Sequence, residues 1–373
     1  MDTCDVLVVG GGPAGSTCAG KLRQAGLDVL LLDKATFPRN KPCAGWITPA
    51  VLATLALDQE EYCRGRVLQE ISSFRTGLID GPEVVTRYGT TVSYGIRRCE
   101  FDQYLLQRCA VRQELGTPVS TLGRHDGWWL VNGRIRARLV VGAGGHFCPV
   151  ARLLGARIGR EEVIVAQAAE IAMSPDQERF CHIPTDMPAL FFSRDMKGYG
   201  WLFRKGRFLN VGLGRMDGKF LGRHTRDFCA FLEQRGYLAG GSIGRFQGHA
   251  YLLYERQGGR TCVGDGALLI GDAAGLAHPQ SGEGILPAIE SALLAADTIL
   301  AADGDYRRTN LESYATRLAN RFGCGSMGIP SSPLSSGLLR YFGARLLSSS
   351  WFSRHIVLDR WFLHTHQKTL YSD

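Results

Sequence analysis

The first 33 residues contain a strand, a glycine turn, a helix and a second strand, in that order. The apolar run at Asp5–Val9 leads directly into glycines, and Val29–Leu32 is a second such run that ends on Asp33. Short continuous apolar runs are typical of strands buried on both faces of a parallel sheet. Between them, Pro13–Ala25 carries helix-forming residues and stops at Gly26. The order predicts a βαβ unit and therefore a Rossmann-like domain at the N-terminus.

A glycine motif fills the turn between this first strand and the helix. Gly10, Gly12 and Gly15 match Gly-x-Gly-x-x-Gly, whose glycines permit a tight turn, close approach to a pyrophosphate and close helix packing. The N-terminus of the helix offers N–H groups and partial positive charge to that pyrophosphate. Asp33 has the spacing of a carboxylate that accepts hydrogen bonds from ribose hydroxyls. The residues predicted to form this first nucleotide site are Gly10, Gly12, Pro13, Ala14, Gly15, Asp33 and Lys34.

A second glycine turn decides between FAD and NAD, which the first motif leaves open. Gly271–Gly275 follows the buried run Ala267–Ile270, and a long Ala-rich helix is predicted over Glu283–Leu300. A carboxylate at Asp272 suits a ribityl hydroxyl, and the N-terminus of the following helix suits the electron-rich pyrimidine side of a reduced flavin. We therefore predict FAD as the cofactor. The residues predicted for this second site are Gly271, Asp272, Gly282, Gly284 and Ile285.

Chain length and local pattern predict how the domains are arranged. A length of 373 residues suggests two domains, at about 100 to 200 residues per domain. Shorter alternating segments from Val163 to Cys262 predict an inserted antiparallel sheet. The predicted fold class is α/β, with a Rossmann-like FAD-binding domain around a parallel sheet, an inserted antiparallel-sheet substrate domain and a helical C-terminal segment. The predicted boundaries are 1–75, 98–160 and 262–322 for the FAD-binding domain, 76–97 and 161–261 for the substrate domain, and 323–373 for the C-terminal segment.

Composition argues against several classes of protein. No window of about 18 uninterrupted apolar residues occurs, and Met1–Asp5 lacks the pattern of a signal peptide, so we expect a cytoplasmic protein. The 11 cysteines include no Cys-x-x-Cys pair, which argues against a zinc site, an iron–sulfur cluster and a disulfide framework. The net charge of +8 comes from scattered Arg and Lys, so nucleic acid is disfavoured as a partner, and no metal site is predicted.

Two short elements, together with the glycine motifs, point to a known family. Arg98 with Phe101–Asp102 matches an Arg-x-x-Phe-Asp element, and Pro279 follows the second glycine turn. From the N-terminus to Leu318, the sequence resembles the FAD-dependent oxidoreductases with the para-hydroxybenzoate hydroxylase fold, and within them the geranylgeranyl reductase family. The resemblance implies that Arg98 and Pro279 contribute to the flavin site. Gly144 stands where the wider hydroxylases carry an aspartate of the nicotinamide pocket.

The glycine motifs also bear on how electrons reach the flavin. No second Gly-x-Gly-x-x-Gly follows a strand, so we expect no separate NAD(P) domain. NAD(P)H or a small redox protein is therefore expected to deliver electrons transiently.

A cysteine-containing loop is similar to an element of the geranylgeranyl reductase family. Lys41-Pro42-Cys43-Ala44-Gly45 is similar to its Lys-x-Cys-Gly element, which borders the flavin, so Cys43, Ala44 and Gly45 are expected at the cofactor. Ala44 stands where glycine is common. No catalytic side chain is assigned, because the flavin carries the chemistry. Cys43 is a candidate redox or proton-donating thiol, and packing against the flavin is the alternative.

A second stretch is similar to the family's substrate-lining segment. Tyr199-Gly200-Trp201-Leu202-Phe203 is similar to Tyr-x-Trp-x-Phe-Pro, with Arg204 in place of the proline. The resemblance implies that Tyr199, Trp201 and Phe203 line a hydrophobic substrate cavity. Alternation along a strand would otherwise place such residues in a core.

Three functions remain open at this point. The first is reduction of a carbon–carbon double bond in an isoprenoid or lipid-like molecule, by hydride transfer from reduced flavin. The second is a monooxygenase acting as a hydroxylase or, with less support, a halogenase, since Tyr199–Arg204 does not match the Trp-x-Trp-x-Ile-Pro element of halogenases. The third is a peripheral flavoprotein electron carrier.

The end of the chain also has two interpretations. The stretch from Leu338–Phe342 to Trp361–Leu363 mixes aromatic and basic residues, as interfacial helices on a membrane surface do. The alternative is a segment that packs onto the flavin domain or closes the substrate cavity.

Overall fold

The computed structural model of the chain describes residues 1–156, 158–238, 244–254, 260–323 and 345–370. The chain folds into two compact units, each assembled from separated stretches. The first unit contains residues 1–39 and 101–162 and the described residues between 251 and 323. The second contains residues 40–100, the described residues between 163 and 250, and residues 345–370.

This division differs from the predicted boundaries mainly at residues 40–75, at the described residues of 251–261 and at the C-terminus, and by two or three residues at 98–100 and 161–162. Residues 40–75 were assigned to the FAD-binding domain, but their strands pair with strands of the second unit. Residues 345–370, predicted as a segment of their own, also belong to the second unit. Local sequence did not reveal which unit these two segments join, because tertiary contacts decide it.

The strands are β1 (Asp2–Val9), β2 (Val29–Asp33), β3 (Trp46–Ile47), β4 (Leu68–Ile71), β5 (Ser73–Leu78), β6 (Glu83–Arg87), β7 (Ser93–Ile96), β8 (Arg112–Leu115), β9 (Leu122–His125), β10 (Trp128–Val131), β11 (Ile135–Gly142), β12 (Ile164–Ala172), β13 (Ala189–Phe192), β14 (Gly198–Lys205), β15 (Phe208–Arg215), β16 (Gln247–Tyr251), β17 (Val263–Gly264) and β18 (Ala267–Leu269).

The α-helices are α1 (Pro13–Gln24), α2 (Pro49–Thr54), α3 (Gln59–Cys63), α4 (Arg98–Cys109), α5 (Pro149–Leu153), α6 (Pro175–Arg179), α7 (Leu221–Gln234), α8 (Ile285–Ala301), α9 (Arg308–Leu311), α10 (Ser313–Phe322) and α11 (Ser350–Phe352). A π-helix follows over Ser353–Phe362.

The first unit is built on an eight-stranded sheet in the order β17-β18-β11-β1-β2-β8, with the β9–β10 hairpin attached to β11. Strand β1 runs parallel to β2 and β11, and β11 runs parallel to β18. The carboxyl ends of these four strands therefore lie at one edge of the sheet, where ligands bind in open α/β folds. The predicted Rossmann-like parallel sheet is confirmed.

The second unit contains a seven-stranded sheet in the order β16-β12-β15-β14-β13-β5-β6, and a small sheet β3-β7-β4. The predicted antiparallel sheet is confirmed, with one parallel pair, β13 and β5. Helix α7 packs against the large sheet through Phe228 and Phe231, which lie in one buried cluster with Phe191 and Val211. A Cβ on Gly200 would lie 2.4 Å from the ring of Phe228, so this ring occupies the space above the glycine.

The C-terminal segment contains helices up to Phe362, as predicted, followed by turns, and its described residues pack within the second unit. The hydroxyl of Tyr88 donates to Oδ1 of Asp359 at 2.7 Å, and Phe362 stacks on Trp46 with ring centroids 5.2 Å apart. Leu338–Phe342, part of the predicted interfacial stretch, lies outside the described residues. Among the described helices, none combines the length and apolar character needed to cross a bilayer.

Replacing Phe228 by alanine should lower the free energy of unfolding by about 3–5 kcal/mol, because a buried ring is lost and a cavity remains above Gly200. Urea unfolding followed by circular dichroism measures this. The matched control is Phe180→Ala, whose ring is 63% exposed and whose loss should change stability by no more than about 0.5 kcal/mol. Equal destabilisation by the two variants would contradict the assigned packing.

Candidate functional site

The first glycine turn is closely packed at the carboxyl edge of the parallel sheet. A Cβ on Gly15 would lie 1.8 Å from the carbonyl oxygen of Gly10, and a Cβ on Gly10 would lie 2.4 Å from that of Ala143. Gly10 also has φ of +119°, which side-chain-bearing residues rarely adopt. Helix α1 begins at Pro13 with Gly12 as its N-cap, and no side chain caps it. The N–H groups of its first turn are thus available to an anion.

Asp33 ends β2 at the same edge. Its Oδ2 accepts a hydrogen bond from the backbone N–H of Gly11 at 2.7 Å, and its Oδ1 accepts one from Ala35 at 2.8 Å. The side chain is therefore held in one orientation beside the glycine turn, and each carboxylate oxygen keeps further acceptor capacity. Lys34, the next predicted residue, is exposed.

The second glycine turn meets the first. Gly271 begins a short 3₁₀ turn after β18, and a Cβ on it would lie 3.1 Å from Cβ of Ala14 in α1. The N–H of Gly271 donates to Oγ of Ser291 in α8 at 3.0 Å, which ties the turn to that helix. Two segments more than 250 residues apart are thus in contact, because β1 and β18 flank β11 in one sheet.

The residues after this turn lead into α8. A Cβ on Gly284 would lie 3.1 Å from Oδ1 of Asp272, so the Asp272 carboxylate lies beside the N-terminus of α8. Gly284 is the N-cap, and the helix begins at Ile285, two residues later than the predicted start at Glu283. The N–H of Gly282 donates to the carbonyl oxygen of His278 at 2.8 Å, which closes the turn that contains Pro279.

Arg39, which no sequence motif predicted, lies beside the first glycine turn. Its guanidinium forms an ion pair with Asp102 at 3.2 Å and would lie 3.3 Å from a Cβ on Gly12. Asp102 is fully buried in α4. The family element Arg-x-x-Phe-Asp identified Asp102, but a single arginine in a loop has no spacing that would reveal its partner. The predicted Arg98 is buried at the first residue of α4.

A second arginine supports the other glycine turn. Arg260 donates to the carbonyl oxygen of Ala273 at 2.8 Å and pairs with Glu161 at 2.6 Å. Its Nη2 also lies 3.3 Å from Nδ1 of His146. The hydrogen bond from Arg260 holds the pKa of the Glu161 carboxyl below its usual range. Arg260, held by Glu161 and His146, therefore fixes the backbone of the turn that carries Asp272. No sequence motif predicted these three residues.

In the second unit, Tyr199, Trp201 and Phe203 lie at alternate positions of β14 and so share one face of the sheet. Trp201 and Phe203 are buried, and Tyr199 is half-buried. The rings are close together: Tyr199 lies 6.0 Å from Trp201 and 5.3 Å from Phe362, and Trp46 lies 5.7 Å from Phe203. We call this cluster of Trp46, Tyr199, Trp201, Phe203 and Phe362 the aromatic wall.

The loop with Cys43, Ala44 and Gly45 lies against the same sheet. The side-chain amide of Asn210, on β15, donates to the carbonyl oxygen of Cys43 at 3.0 Å. The N–H of Gly45 lies 3.3 Å from Sγ of Cys43 and donates to it. The second unit thus joins the predicted cysteine loop to the strands that carry the predicted substrate residues, whereas the first unit joins the two glycine turns.

Sequence comparison identifies relatives along most of the chain. An FAD binding domain family matches residues 3–57. A menaquinone reductase of Mycobacterium tuberculosis is 30% identical over 354 residues, which cover 87% of this chain and 82% of the relative. A digeranylgeranylglycerophospholipid reductase of Methanocaldococcus jannaschii is 25% identical, with 85% and 82% covered.

Solved structures show the same fold. A geranylgeranyl bacteriochlorophyll reductase-like protein of Thermoplasma acidophilum superposes with a TM-score of 0.73 at 23% identity, covering 93% of this chain and 88% of that one. A halogenase in complex with FAD superposes with a TM-score of 0.68 at 15% identity, covering 94% and 78%. The sequence relatives, which extend over both units, place the chain in the geranylgeranyl reductase family of FAD-dependent oxidoreductases, and the solved structures share its fold.

Proposed function

We propose that this enzyme reduces a carbon–carbon double bond in an isoprenoid or similar lipid. The observation that carries the proposal is the aromatic wall, a cluster of large rings at one face of the seven-stranded sheet. Tyr199, the half-buried ring of β14, would present the apolar side of this cluster to a hydrocarbon chain, because burying apolar area contributes about 25 cal/mol per Å². The relatives named as reductases of menaquinone and of a digeranylgeranyl lipid support a prenylated substrate.

The residues of the first unit fit FAD. Gly10 and Gly15 leave no room for side chains, and the uncapped N-terminus of α1 would hold the pyrophosphate. Asp33, already oriented by two backbone N–H groups, would accept the ribose hydroxyls. Asp272 and the N-terminus of α8 would hold the ribityl and pyrimidine part. When bound and reduced, FAD supplies the hydride, and the neighbouring carbon of the alkene takes up a proton.

The protein's own residues would bind and orient the alkene and exclude water from it. Tyr199, Trp201 and Phe203 would contact the substrate, while Cys43, Ala44, Gly45, Arg98 and Pro279 would border the cofactor. The electron donor in this proposal is NAD(P)H or a small redox protein that binds transiently. The Tyr199–Arg204 segment does not match the halogenase element, and structural neighbours named as a halogenase or a monooxygenase are similar in fold alone.

Peripheral contact with a lipid surface is a further part of the proposal. Trp351 is 64% exposed and Leu346 is 45% exposed at the start of the C-terminal helical segment, with Arg345 and Arg354 nearby in sequence. Aromatic and basic side chains together favour the interface of an anionic bilayer. An enzyme that draws a prenyl lipid from a membrane would gain access to its substrate in this way.

Replacing Gly15 by alanine should abolish FAD retention, because the new Cβ would collide with the carbonyl oxygen of Gly10 and open the turn. The purified variant should be colourless, whereas the wild-type protein is yellow; the flavin content is measured by absorbance after heat release. Gly123→Ala is the matched control, since no atom of the described residues, apart from the chain neighbours of Gly123, lies within 4 Å of a Cβ there. Full flavin content in the Gly15 variant would contradict the site.

The reduced enzyme should be reoxidised by a polyprenyl alkene and should react slowly with oxygen. Anaerobic reduction with NADPH or dithionite, followed by stopped-flow mixing with either oxidant, measures this at the flavin absorbance maximum. Mass spectrometry should show two hydrogens added to the prenyl chain. Rapid reaction with oxygen and an oxygenated product would instead establish a monooxygenase.

The aromatic wall provides a variant for the same experiment. Tyr199→Ala should slow reoxidation by low alkene concentrations about tenfold, since loss of one aromatic contact costs about 1.4 kcal/mol. Reduction of the flavin by the donor should not change. Equal slowing of both half-reactions would argue against a substrate contact at Tyr199.

Flotation with anionic liposomes tests the lipid contact. The wild-type enzyme should float with phosphatidylglycerol vesicles, and Trp351→Ala should lower the bound fraction several-fold because an exposed aromatic anchor is lost. Phe147→Ala, which removes a 59% exposed ring of the first unit, is the control and should bind as the wild type does. If the wild-type enzyme does not float with the vesicles, the proposed membrane contact is wrong.

A further inference from the structure

A buried lysine lies on the strand that carries the aromatic wall. Lys205, at the end of β14, is only 1% exposed. Its ammonium lies 2.8 Å from the carbonyl oxygen of Ile96, 3.1 Å from that of Ala44 and 2.7 Å from Oε2 of Glu170. A lysine ammonium has three N–H donors, so these three acceptors match its full capacity. Each donor of Lys205 therefore has an acceptor inside the second unit.

The counter-charge is itself held in place. Glu170 on β12 also pairs with Arg97 at 2.9 Å. Burial alone would raise the pKa of the Glu170 carboxyl, but the Lys205 ammonium and the Arg97 guanidinium outweigh it and keep this pKa below its usual range. Burying a charge such as the Lys205 ammonium costs several kcal/mol before it is paired, whereas the Glu170 side chain keeps 23% of its surface exposed. A well-packed apolar pair would stabilise a sheet as well, so stability alone does not explain the arrangement.

The cysteine loop is held at a second point by Asn210 on β15. Its side-chain oxygen accepts a hydrogen bond from Nε1 of Trp201 at 2.8 Å, and its amide nitrogen donates to the carbonyl oxygen of Cys43 at 3.0 Å. Trp201 belongs to the aromatic wall. One amide thus links a predicted substrate-contacting ring directly to the backbone of the loop.

Close approach of loop and strand depends on Gly45. Its φ is +65°, and a Cβ there would lie 2.1 Å from the carbonyl oxygen of Ile96 and 2.7 Å from Nζ of Lys205. The loop is therefore packed directly on the ammonium. The carbonyl oxygens of Cys43 and Ala44 accept hydrogen bonds from side chains on two adjacent strands. Asn210 on β15 donates to Cys43, and Lys205 on β14 donates to Ala44.

We propose that Lys205 and Asn210 form a positioning clamp that fixes the Cys43–Gly45 backbone relative to the aromatic wall. The proposal rests on the proposed function, in which the loop borders the cofactor and the wall holds the alkene. The two residues act through the loop and through Trp201 and contact no substrate themselves. The clamp sets where the cofactor-bordering backbone stands with respect to the bound hydrocarbon, which is the alignment that hydride transfer requires.

The direct test is the reactivity of Cys43 in the FAD-loaded enzyme. Lys205→Met keeps the length of the side chain and leaves Glu170 paired with Arg97, so no carboxylate loses all its partners. Alkylation of Cys43 by N-ethylmaleimide, followed by peptide mass spectrometry, should become about tenfold faster, which corresponds to about 1.4 kcal/mol of lost restraint. Alkylation of Cys63, which is exposed elsewhere in the unit, should not change.

Two more variants complete the design. Asn210→Leu removes the other attachment and should also accelerate alkylation of Cys43, so the test remains decisive if either variant fails to fold. Lys197→Met is the control, because Lys197 is an exposed lysine paired with Asp217 and should leave the Cys43 rate as in the wild type. Unchanged Cys43 reactivity in both clamp variants would overturn the clamp.

A kinetic readout separates positioning from simple loop stability. In Lys205→Met the limiting rate of flavin reoxidation by a polyprenyl alkene should fall about tenfold, while the half-saturating alkene concentration stays within about twofold. Faster Cys43 alkylation with an unchanged limiting rate would show that the clamp holds the loop without positioning the reaction, and would overturn the proposal. A wild-type enzyme inert towards alkenes would refute the proposed function, whereas the alkylation rates would still decide whether the clamp exists.

Discussion

Close contact between backbone segments at the carboxyl edge of one parallel sheet is the constraint on which the rest of the first unit depends. Gly10 lies against Ala143, Gly15 against Gly10, and Gly271 against Ala14. Side chains at the three glycines would separate these segments. Because β1, β11 and β18 are parallel neighbours, the three turns that follow them meet, and helices α1 and α8 both begin at this edge. The result is a surface of backbone N–H groups and helix N-termini that suits a phosphorylated cofactor.

Buried charges secure the loops that the glycines shape. Arg260 with Glu161 holds the carbonyl oxygen of Ala273, and Lys205 with Glu170 holds that of Ala44. In both cases a cation donates to a loop carbonyl and to a carboxylate at once. A hydrocarbon core cannot fix a loop in this way, because carbonyl oxygens need donors and apolar contacts have no direction. Burying these two cations is costly, so stability alone does not account for their place beneath the two loops.

The second unit combines a cluster of aromatic rings with polar attachments on the same strands. Along β14, Tyr199, Trp201 and Phe203 present rings, and Lys205 continues the alternation with an ammonium. On β15, Asn210 lies opposite Phe203 and binds both Trp201 and the cysteine loop. Phe362, contributed by the C-terminal π-helix, completes the wall from a segment that shows no periodic pattern in the sequence. The rings of β14 and the side chains that hold the cysteine loop are therefore parts of one sheet.

Several features could be predicted without any structure: the βαβ unit, the two glycine turns, the carboxylates Asp33 and Asp272 and the alternation of Tyr199, Trp201 and Phe203. These features are local: each depends on buried runs, backbone freedom or spacing within a few residues. Tertiary structure alone decided that residues 40–75 join the second unit, that Arg39 pairs with Asp102, and that Lys205 reaches Glu170 and Ala44. Those partners are distant along the chain and follow no fixed spacing, so they are selected only when strand order brings them within hydrogen-bonding distance.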